Sequence, residues 1–281
     1  MNITDTMMEY IGHHGSDLLV VNAARASFGK ESAWLPSGAP NDYEGVVYQN
    51  IDGRPVNLSK ADANLIRFLA TGFRAQEWDA FLNEIIGLVT AANESFGKLD
   101  VKAELTKKLH EYKRKAQHWA PFGHPHLTLR MRLPIFLARQ FVKHQVGGVW
   151  SEESRRYMSN EPEFWFQDSV HARPADIKQG AGGEPAVEQS VARDWMERAT
   201  EQALNTYQLL LDHQVAPEEA RTILTLNTMT TVVWTGSLLF WARVRNQRVD
   251  GHAQLAAQKL GRKLDEIVGS RYPVSWAALT A

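Results

Sequence analysis

The chain contains no cysteine among its 281 residues. This absence excludes disulfide bonds, metal sites built on thiolates and a cysteine nucleophile. Any chemistry that the protein performs must therefore run without a thiol.

An excess of charge and a long apolar run are also missing. Lys and Arg number 31 against 32 Asp and Glu, for a net charge of -1, so no general basic field exists to hold nucleic acid. Anions must then be bound by local clusters. No apolar stretch approaches the length of a bilayer span, and the N-terminus has no signal-peptide-like apolar region. We expect a cytoplasmic protein.

The length permits one large domain or two small ones. Neither an internal repeat nor a clean linker is visible, so we predict a single domain over residues 1–281, helix-rich and of mixed α/β class around a small sheet. Residues 158–186 are rich in proline and glycine. They are predicted to form a long irregular excursion of the kind that is often functional or mobile.

In the first half, the residue patterns predict a short strand leading into a turn or helix start over 17–29, and a loop over 30–57. Ser59 and Asp62 can cap a helix that follows them. Helical spacing of apolar residues predicts further helices over 77–96 and 101–115.

The second half opens with strict alternation over 126–133, which is typical of a half-buried strand. Pro134 is expected to open a helix on which Arg139 and Lys143 share one face and Gln140 and His144 the next. A helix is predicted over 187–213, with core-side residues Val191, Trp195, Leu204, Tyr207 and Leu211. Further helices are predicted from Pro217, over 230–244 and over 252–268.

Two cationic segments flank a glycine pair: Lys143-His144-Gln145 and Arg155-Arg156-Tyr157, with Glu152 between them. Arginine binds phosphate with a two-pronged fork, and glycine lets the backbone approach a planar ring closely. The arrangement favours an anionic nucleotide as ligand. Taken alone, Arg155-Arg156-Tyr157 is equally typical of a solvated surface, and Lys143-His144-Gln145 is more often surface than ligand site.

Histidine pairs occur at His13-His14 and around Pro125, at His124 and His126. No carboxylate stands at ligand spacing beside either pair, and cysteine is absent. We therefore predict no metal site.

Five motifs in order resemble the flavin-dependent thymidylate synthase family, whose hallmark is Arg-His-Arg followed by Ser and Arg-Tyr. They are Ala24-Arg25-Ala26-Ser27, the segment 118–124, Lys143-His144-Gln145 with Ser154-Arg155-Arg156-Tyr157, Ala220-Arg221, and the segment 248–254. The resemblance extends along most of the chain.

The chain departs from the family pattern at several positions, which mark a divergent branch. Lys143 and Gln145 replace the two hallmark arginines, and the spacer before Ser154 is one residue longer. Ala120 and Gly123 replace a threonine and a glutamate of the family, and Ser237 begins the segment that replaces its Asn-x-Arg.

The resemblance implies a family-like fold and the reductive methylation of dUMP to dTMP. Methylenetetrahydrofolate would be the one-carbon donor, FAD the hydride carrier and NADPH the reductant. It also implies a homotetramer whose active sites combine residues of several subunits. The unrelated class of thymidylate synthase attacks uracil with a cysteine, which this chain does not possess.

Arg248 is the catalytic residue that the resemblance implies, polarising the uracil carbonyl and favouring loss of the N3 proton. The dUMP-binding residues would be Gln140, Lys143, Glu152, Ser154, Arg155, Arg156, Arg221 and Arg248. The FAD-binding residues would be His118, Ala120, Lys143, His144, Gln145, Glu152, Ser237, Arg243 and His252.

Three other functions stay open at this point. A related enzyme could deliver another one-carbon product, such as hydroxymethyl, which the altered hallmark suggests. A second alternative is a flavin- or nucleotide-binding protein that has lost catalysis. A nucleic-acid-binding module is disfavoured by the near-neutral charge.

Overall fold

The computed structural model describes residues 1–43, 46, 48–49, 53–73, 75–94, 101–113, 118–158, 160–172 and 188–281. These residues fall into two compact units. The first unit comprises Met1–His13, Leu127–Gly236 and Arg243–Ile267, and the second comprises His14–His126, Ser237–Ala242 and Val268–Ala281. The mixed α/β class is confirmed, while the single domain stays a prediction.

The strands of the structure are β1 (Asn2–Ile3), β2 (Met7–His14), β3 (Leu35–Pro36), β4 (Tyr48–Gln49), β5 (Pro55–Asn57), β6 (His126–Pro134), β7 (Gly148–Glu152), β8 (Glu163–Phe164) and β9 (Met229–Ser237). The helices are α1 (Asp17–Arg25), α2 (Lys60–Leu69), α3 (Ala75–Glu94), α4 (Val101–Lys113), α5 (Ala120–Gly123), α6 (Ile135–Phe141), α7 (Gln189–Asp212), α8 (Pro217–Ala220), α9 (Leu238–Arg248), α10 (Leu255–Gly269) and α11 (Pro273–Thr280).

A four-stranded sheet in the order β2-β6-β9-β7 forms the centre of the first unit. The predicted strand over 126–133 is confirmed as β6, and its alternate side chains from Leu127 to Leu133 are buried. Strands β7 and β9 are antiparallel and place Trp150 opposite Trp234. Strand β1 pairs in parallel with β8. The sheet thus supports the segments that follow β6 and β7, where Gln140, Lys143, His144, Gln145, Ser154, Arg155 and Arg156 lie.

Helices α1, α2, α5 and α11 build the second unit, and α1 contacts each of the other three. Asp17, in the first turn of α1, is fully buried and accepts hydrogen bonds from the backbone N–H groups of Val274 and Ser275, at the start of α11. The Tyr48 hydroxyl donates to the same carboxylate. Asp17 therefore caps a helix that is distant in sequence.

The predicted cap of α2 is confirmed. The Ser59 side chain accepts a hydrogen bond from the backbone N–H of Asp62 over 3.1 Å, and its hydroxyl donates to the Asp62 carboxylate over 2.8 Å. The reciprocal pair satisfies a backbone donor that the first helical turn leaves free.

Two predictions for the N-terminal third were wrong. The expected strand over 17–29 is helix α1 with a short 3-10 turn at Ala26–Phe28. A short apolar run cannot distinguish strand from buried helix, and contacts with α2, α5 and α11 decide for the helix. The predicted loop over 30–57 contains the small antiparallel sheet β3-β5-β4. Its strands have two or three residues, too few for a sequence period to show.

In the second half, the predicted helix over 230–244 was wrong for residues 230–237 and is confirmed for residues 238–244. Residues 229–237 form strand β9, and α9 begins only at Leu238. The run of threonine and valine at 230–233 favours a strand once neighbouring strands can pair with it.

Helix α6 ends at Phe141, so Lys143 and His144 lie beyond it. The prediction that Arg139 and Lys143 share one helical face, and Gln140 and His144 the next, was therefore wrong.

On α7, Trp195 is 68% exposed and Val191 is exposed as well, so their predicted core positions were wrong, whereas Tyr207 is buried as predicted. The excursion over 158–186 contains strand β8, and its residues 173–186 lie outside the described part of the chain. Helix α11 was not predicted. None of the helices in the described residues combines the length and hydrophobicity of a membrane-spanning segment.

Candidate active site

The side chain of Arg248, at the last residue of α9, is half-buried and held by two acceptors. Its Nε donates to Nε2 of His144 over 3.0 Å, and its Nη2 donates to the backbone carbonyl of Gln140 over 2.7 Å. The guanidinium carbon also lies 5.5 Å from the centre of the Phe141 ring. Two directional bonds to a planar group fix its plane, so the remaining N–H groups have a defined direction.

His144 follows α6 and is anchored by its backbone N–H, which donates to the Phe141 carbonyl over 3.0 Å. Since its Nε2 accepts from Arg248, the proton of the neutral ring resides on Nδ1. Burial, together with the positive charge of Arg248, lowers the pKa of His144 to about 4. The histidine is therefore a neutral acceptor at physiological pH.

A second arrangement is centred on the Ser154 hydroxyl, in the turn that follows β7. Nε of Arg156 donates to Ser154 Oγ over 3.1 Å, and Nη1 of Arg221 donates to the same oxygen over 3.4 Å. Both arginines are exposed. Two guanidinium groups that converge on one hydroxyl form a site suited to a phosphate.

Arg155 does not join this arrangement through hydrogen bonds. Its Nη1 donates to the Asn160 carbonyl over 3.0 Å, and the ion pair between Arg132 and Glu163 lies nearby. Hydrogen bonding from Arg132, with a smaller contribution from the charge of Arg155, lowers the pKa of Glu163. The bond to Asn160 ties the Arg155 side chain to the backbone at that residue.

The Glu152 carboxylate at the end of β7 is held at both oxygens. Thr230 Oγ1 donates to Oε1 over 2.9 Å, and Trp150 Nε1 donates to Oε2 over 3.2 Å. Trp150 in turn packs edge-to-face on Trp234, with ring centres 4.9 Å apart. The carboxylate therefore points in one direction even though the residue is exposed.

The remaining candidates of the first unit are Lys143, Gln145, Arg243 and His252, and all four side chains are exposed. The backbone N–H of His252 donates to the Asp250 carboxylate over 2.8 Å.

The second unit carries a cavity of about 790 Å³. Its lining contains the candidates His118 and Ala120, the exposed rings of Phe28, Phe68 and Trp119, and the cations Arg25 and Lys30. The centre of the His118 ring lies 5.5 Å from that of Phe68. A cavity of this size with aromatic walls and cations fits a planar, anionic cofactor.

The orientation of Arg25 in this cavity is set by Asp62, which is buried. Nε and Nη2 of Arg25 donate to Oδ1 of Asp62 over 3.1 and 2.5 Å. Ser32 Oγ donates to the same oxygen over 2.9 Å. Ser237, another FAD candidate, accepts from the backbone N–H of Phe240 over 3.2 Å and so caps α9.

Sequence reasoning missed three residues that shape the first unit's site. Thr230 orients Glu152, and Gln254 accepts from the Gln140 side chain over 2.6 Å. At Gly261, an added Cβ would lie 3.1 Å from Cβ of Arg248 and 3.0 Å from Val249. A glycine within a helical pattern was the available signal that α10 passes close to another backbone.

Among the described residues there is no cluster of three or more His, Asp or Glu side chains that could hold a metal ion.

Comparison with known proteins gives a consistent family match. The family model Thy1, described as thymidylate synthase complementing protein, matches residues 7–274. The flavin-dependent thymidylate synthase of Thermosipho africanus is 32% identical over 192 residues, which cover 68% of this chain and 83% of that protein. The enzyme of the same name from Thermus thermophilus is 29% identical over 191 residues, with 68% and 70% covered.

A solved structure shares the fold over nearly the whole chain. It is the UMP/dUMP methylase PolB from Streptomyces cacaoi bound with 5-Br dUMP, with a TM-score of 0.65, 21% identity and coverage of 98% of this chain and 95% of that one.

Proposed function

Because the chain belongs to the flavin-dependent thymidylate synthase family, we propose that it methylates dUMP to dTMP. In this proposal methylenetetrahydrofolate supplies the one-carbon unit, FAD carries the hydride and NADPH reduces the flavin. The observation that carries the proposal is the Arg248 guanidinium, held by His144 and the Gln140 carbonyl. A fixed cation beside a pyrimidine carbonyl stabilises the negative charge that develops when the N3 proton is lost.

The nucleotide phosphate is proposed to bind Arg156 and Arg221, with Ser154 between them. Their convergence supports this assignment, since both guanidinium groups reach the same hydroxyl. Charge-assisted bonds from two arginines would fix the nucleotide by its end, which leaves the ring free to be oriented by other groups.

Ring orientation is proposed for Arg248 together with Gln140 and Glu152. The carboxylate is held by Thr230 and Trp150, so it can accept from a donor group of the nucleotide without reorganising. Lys143 keeps its proposed contact with the phosphate and the flavin. Arg155 stays a proposed nucleotide contact, although its bond to Asn160 favours a structural role.

The flavin is proposed to bind with its rings against aromatic side chains and its phosphates against cations. The cavity of the second unit fits such a group, and His118 and Ala120 line it. In the first unit, His144, Gln145, Glu152, Arg243 and His252 stay proposed flavin contacts, as does Ser237 in the second. When bound, the flavin would supply the hydride, which no side chain of the chain can provide.

Product analysis tests the proposal directly. The protein is incubated with FAD, NADPH, methylenetetrahydrofolate and dUMP, with UMP in a parallel reaction, and the masses of the nucleotide products are measured by mass spectrometry. A gain of one methyl group supports thymidylate synthesis. A hydroxymethyl product would favour the alternative chemistry, and unchanged nucleotide with bound flavin would favour a protein that has lost catalysis.

We further propose a cytoplasmic homotetramer whose active sites combine residues from several subunits. Light scattering measures the oligomer, and mixing two inactive variants tests the sharing. If sites are shared, refolding Arg248→Ala together with Arg156→Ala should restore part of the activity. Complete inactivity of the mixed oligomer would contradict shared sites.

A further inference from the structure

The side chain of Gln140 is held by a residue outside the proposed set of nucleotide contacts. Its Nε2 donates to Oε1 of Gln254 over 2.6 Å. A glutamine amide can present either its oxygen or its nitrogen to a ligand, because the two ends are similar in size. Because Nε2 of Gln140 donates to Gln254, the Oε1 atom of Gln140 is the end of the amide that can accept a hydrogen bond from a ligand.

Gln254 is itself well anchored. Its backbone carbonyl accepts from the N–H of Gln258 in the first turn of α10 over 3.0 Å. The buried Gln258 side chain also donates to the adjacent Ala253 carbonyl over 2.8 Å. The acceptor that receives Gln140 is therefore carried by a fixed piece of backbone rather than by a free loop.

The segment from Arg248 to Gln254 holds Gln140 at two points, its backbone carbonyl and its side chain. Arg248 donates to the backbone carbonyl of Gln140, while Gln254 accepts from its side chain. The position of the proposed catalytic guanidinium and the direction of the Gln140 amide are thus linked through one residue on α6.

We propose that Gln254 is a positioning residue that turns the amide of Gln140 so that its Oε1 accepts a hydrogen bond from the nucleotide. The donor is an O–H or N–H group, either a sugar hydroxyl or the N3–H of the pyrimidine. A site built to accept such a bond rejects a ligand that lacks the donor, because its own polar atom then stays unpaired. This inference rests on the proposed function and adds a determinant of nucleotide selection to it.

Two substitutions separate positioning from general structure. Gln254→Leu has a similar size and no acceptor, whereas Gln254→Glu keeps acceptor oxygens for Gln140 Nε2. The matched control is Gln208→Leu, an exposed glutamine on α7 that donates to Asp212. Calorimetry with dUMP, 2′,3′-dideoxy-UMP and N3-methyl-dUMP measures binding independently of turnover, and steady-state kinetics separate KM from kcat.

We expect Gln254→Leu to weaken dUMP binding and raise KM about 10-fold, with kcat within about twofold, as for a lost hydrogen bond to substrate. Gln254→Glu should recover most of the affinity. The wild type should discriminate against the analogue that lacks the recognised donor, and Gln254→Leu should lose that discrimination. The analogue affected identifies the donor.

Unchanged dUMP affinity in Gln254→Leu would overturn the inference, as would an equal loss for all three nucleotides. If Gln254→Leu does not fold, Gln254→Met provides the same removal of the acceptor, and the same two results count against the inference. Failure of the wild type to bind dUMP would instead remove the proposed function and this inference together. The wild-type titration therefore distinguishes the two failures.

Discussion

Nε of Arg248 donates to Nε2 of His144 over 3.0 Å, a bond that only a neutral histidine can accept. Partial burial of the ring, with a further contribution from the charge of Arg248, lowers the pKa of His144 and keeps it neutral. The cation thus contributes to the protonation state of the histidine that orients it. Arg248 and His144 therefore act as a unit, and a substitution at each of them leads to a separate prediction.

For Arg248, we predict that substitution by lysine lowers kcat about 100- to 1000-fold, as for removal of a preorganised transition-state donor. Lysine keeps the charge but cannot hold the fork between His144 and the Gln140 carbonyl. Steady-state kinetics and circular dichroism measure activity and folding. Arg262→Lys, on the exposed face of α10, is the control. A wild-type kcat in Arg248→Lys would show that the two bonds of the guanidinium, to His144 and to the Gln140 carbonyl, are not needed to orient the cation.

For His144, we predict an acid-dependent loss of stability. Its folded-state pKa of about 4 lies below the ordinary value of 6.5, so the unfolded chain binds more protons between these values. The free energy of unfolding should therefore fall as the pH drops from 6.5 towards 4. Above pH 6.5, His144 should make no contribution to the pH dependence of this free energy.

Denaturant unfolding at several pH values measures how the free energy of unfolding depends on pH. His144→Gln should weaken this pH dependence, whereas His213→Gln, at the exposed end of α7, should leave it as in the wild type. An equally steep slope in His144→Gln would assign the acid sensitivity to other groups.

For the arginine pair around Ser154, we predict that Arg156→Ala and Arg221→Ala each weaken dUMP binding about 10- to 100-fold, the range for a lost charge-assisted hydrogen bond. Deoxyuridine has no phosphate, so it should bind the wild type and the two single variants with equal affinity. Because Ser154 links the two side chains, the effects should not add in the double variant. Equal losses for dUMP and deoxyuridine would place the pair away from the phosphate.

For the second unit, we predict that Asp17→Ala lowers the free energy of unfolding by about 2–4 kcal/mol, from a lost helix cap and unpaired buried donors. Val274 and Ser275 would lose the acceptor of their backbone N–H groups. Chemical denaturation measures the change. Asp194→Ala, an exposed partner of Arg198, should cost little. A similar small change in Asp17→Ala would show that α11 does not depend on the cap.

Sequence reasoning succeeded where the determinant is local. The alternation in β6 and the Ser59 cap both act between residues a few positions apart, so their pattern is visible in the chain itself. It failed at α1 and β9, where short apolar runs are compatible with either structure and packing against distant elements decides.

The candidate site shows the same division. Motif order in the sequence singled out Arg248, His144, Ser154, Arg156 and Arg221, and it identified the family. It could not show that Arg155 binds Asn160, or that Gln254 receives the amide of Gln140. Residue identity determines which groups can donate, accept or carry charge. Their direction depends on contacts that only the tertiary structure creates, because a hydrogen bond requires both distance and alignment. The bond between Arg248 and His144, for example, joins residues 104 positions apart.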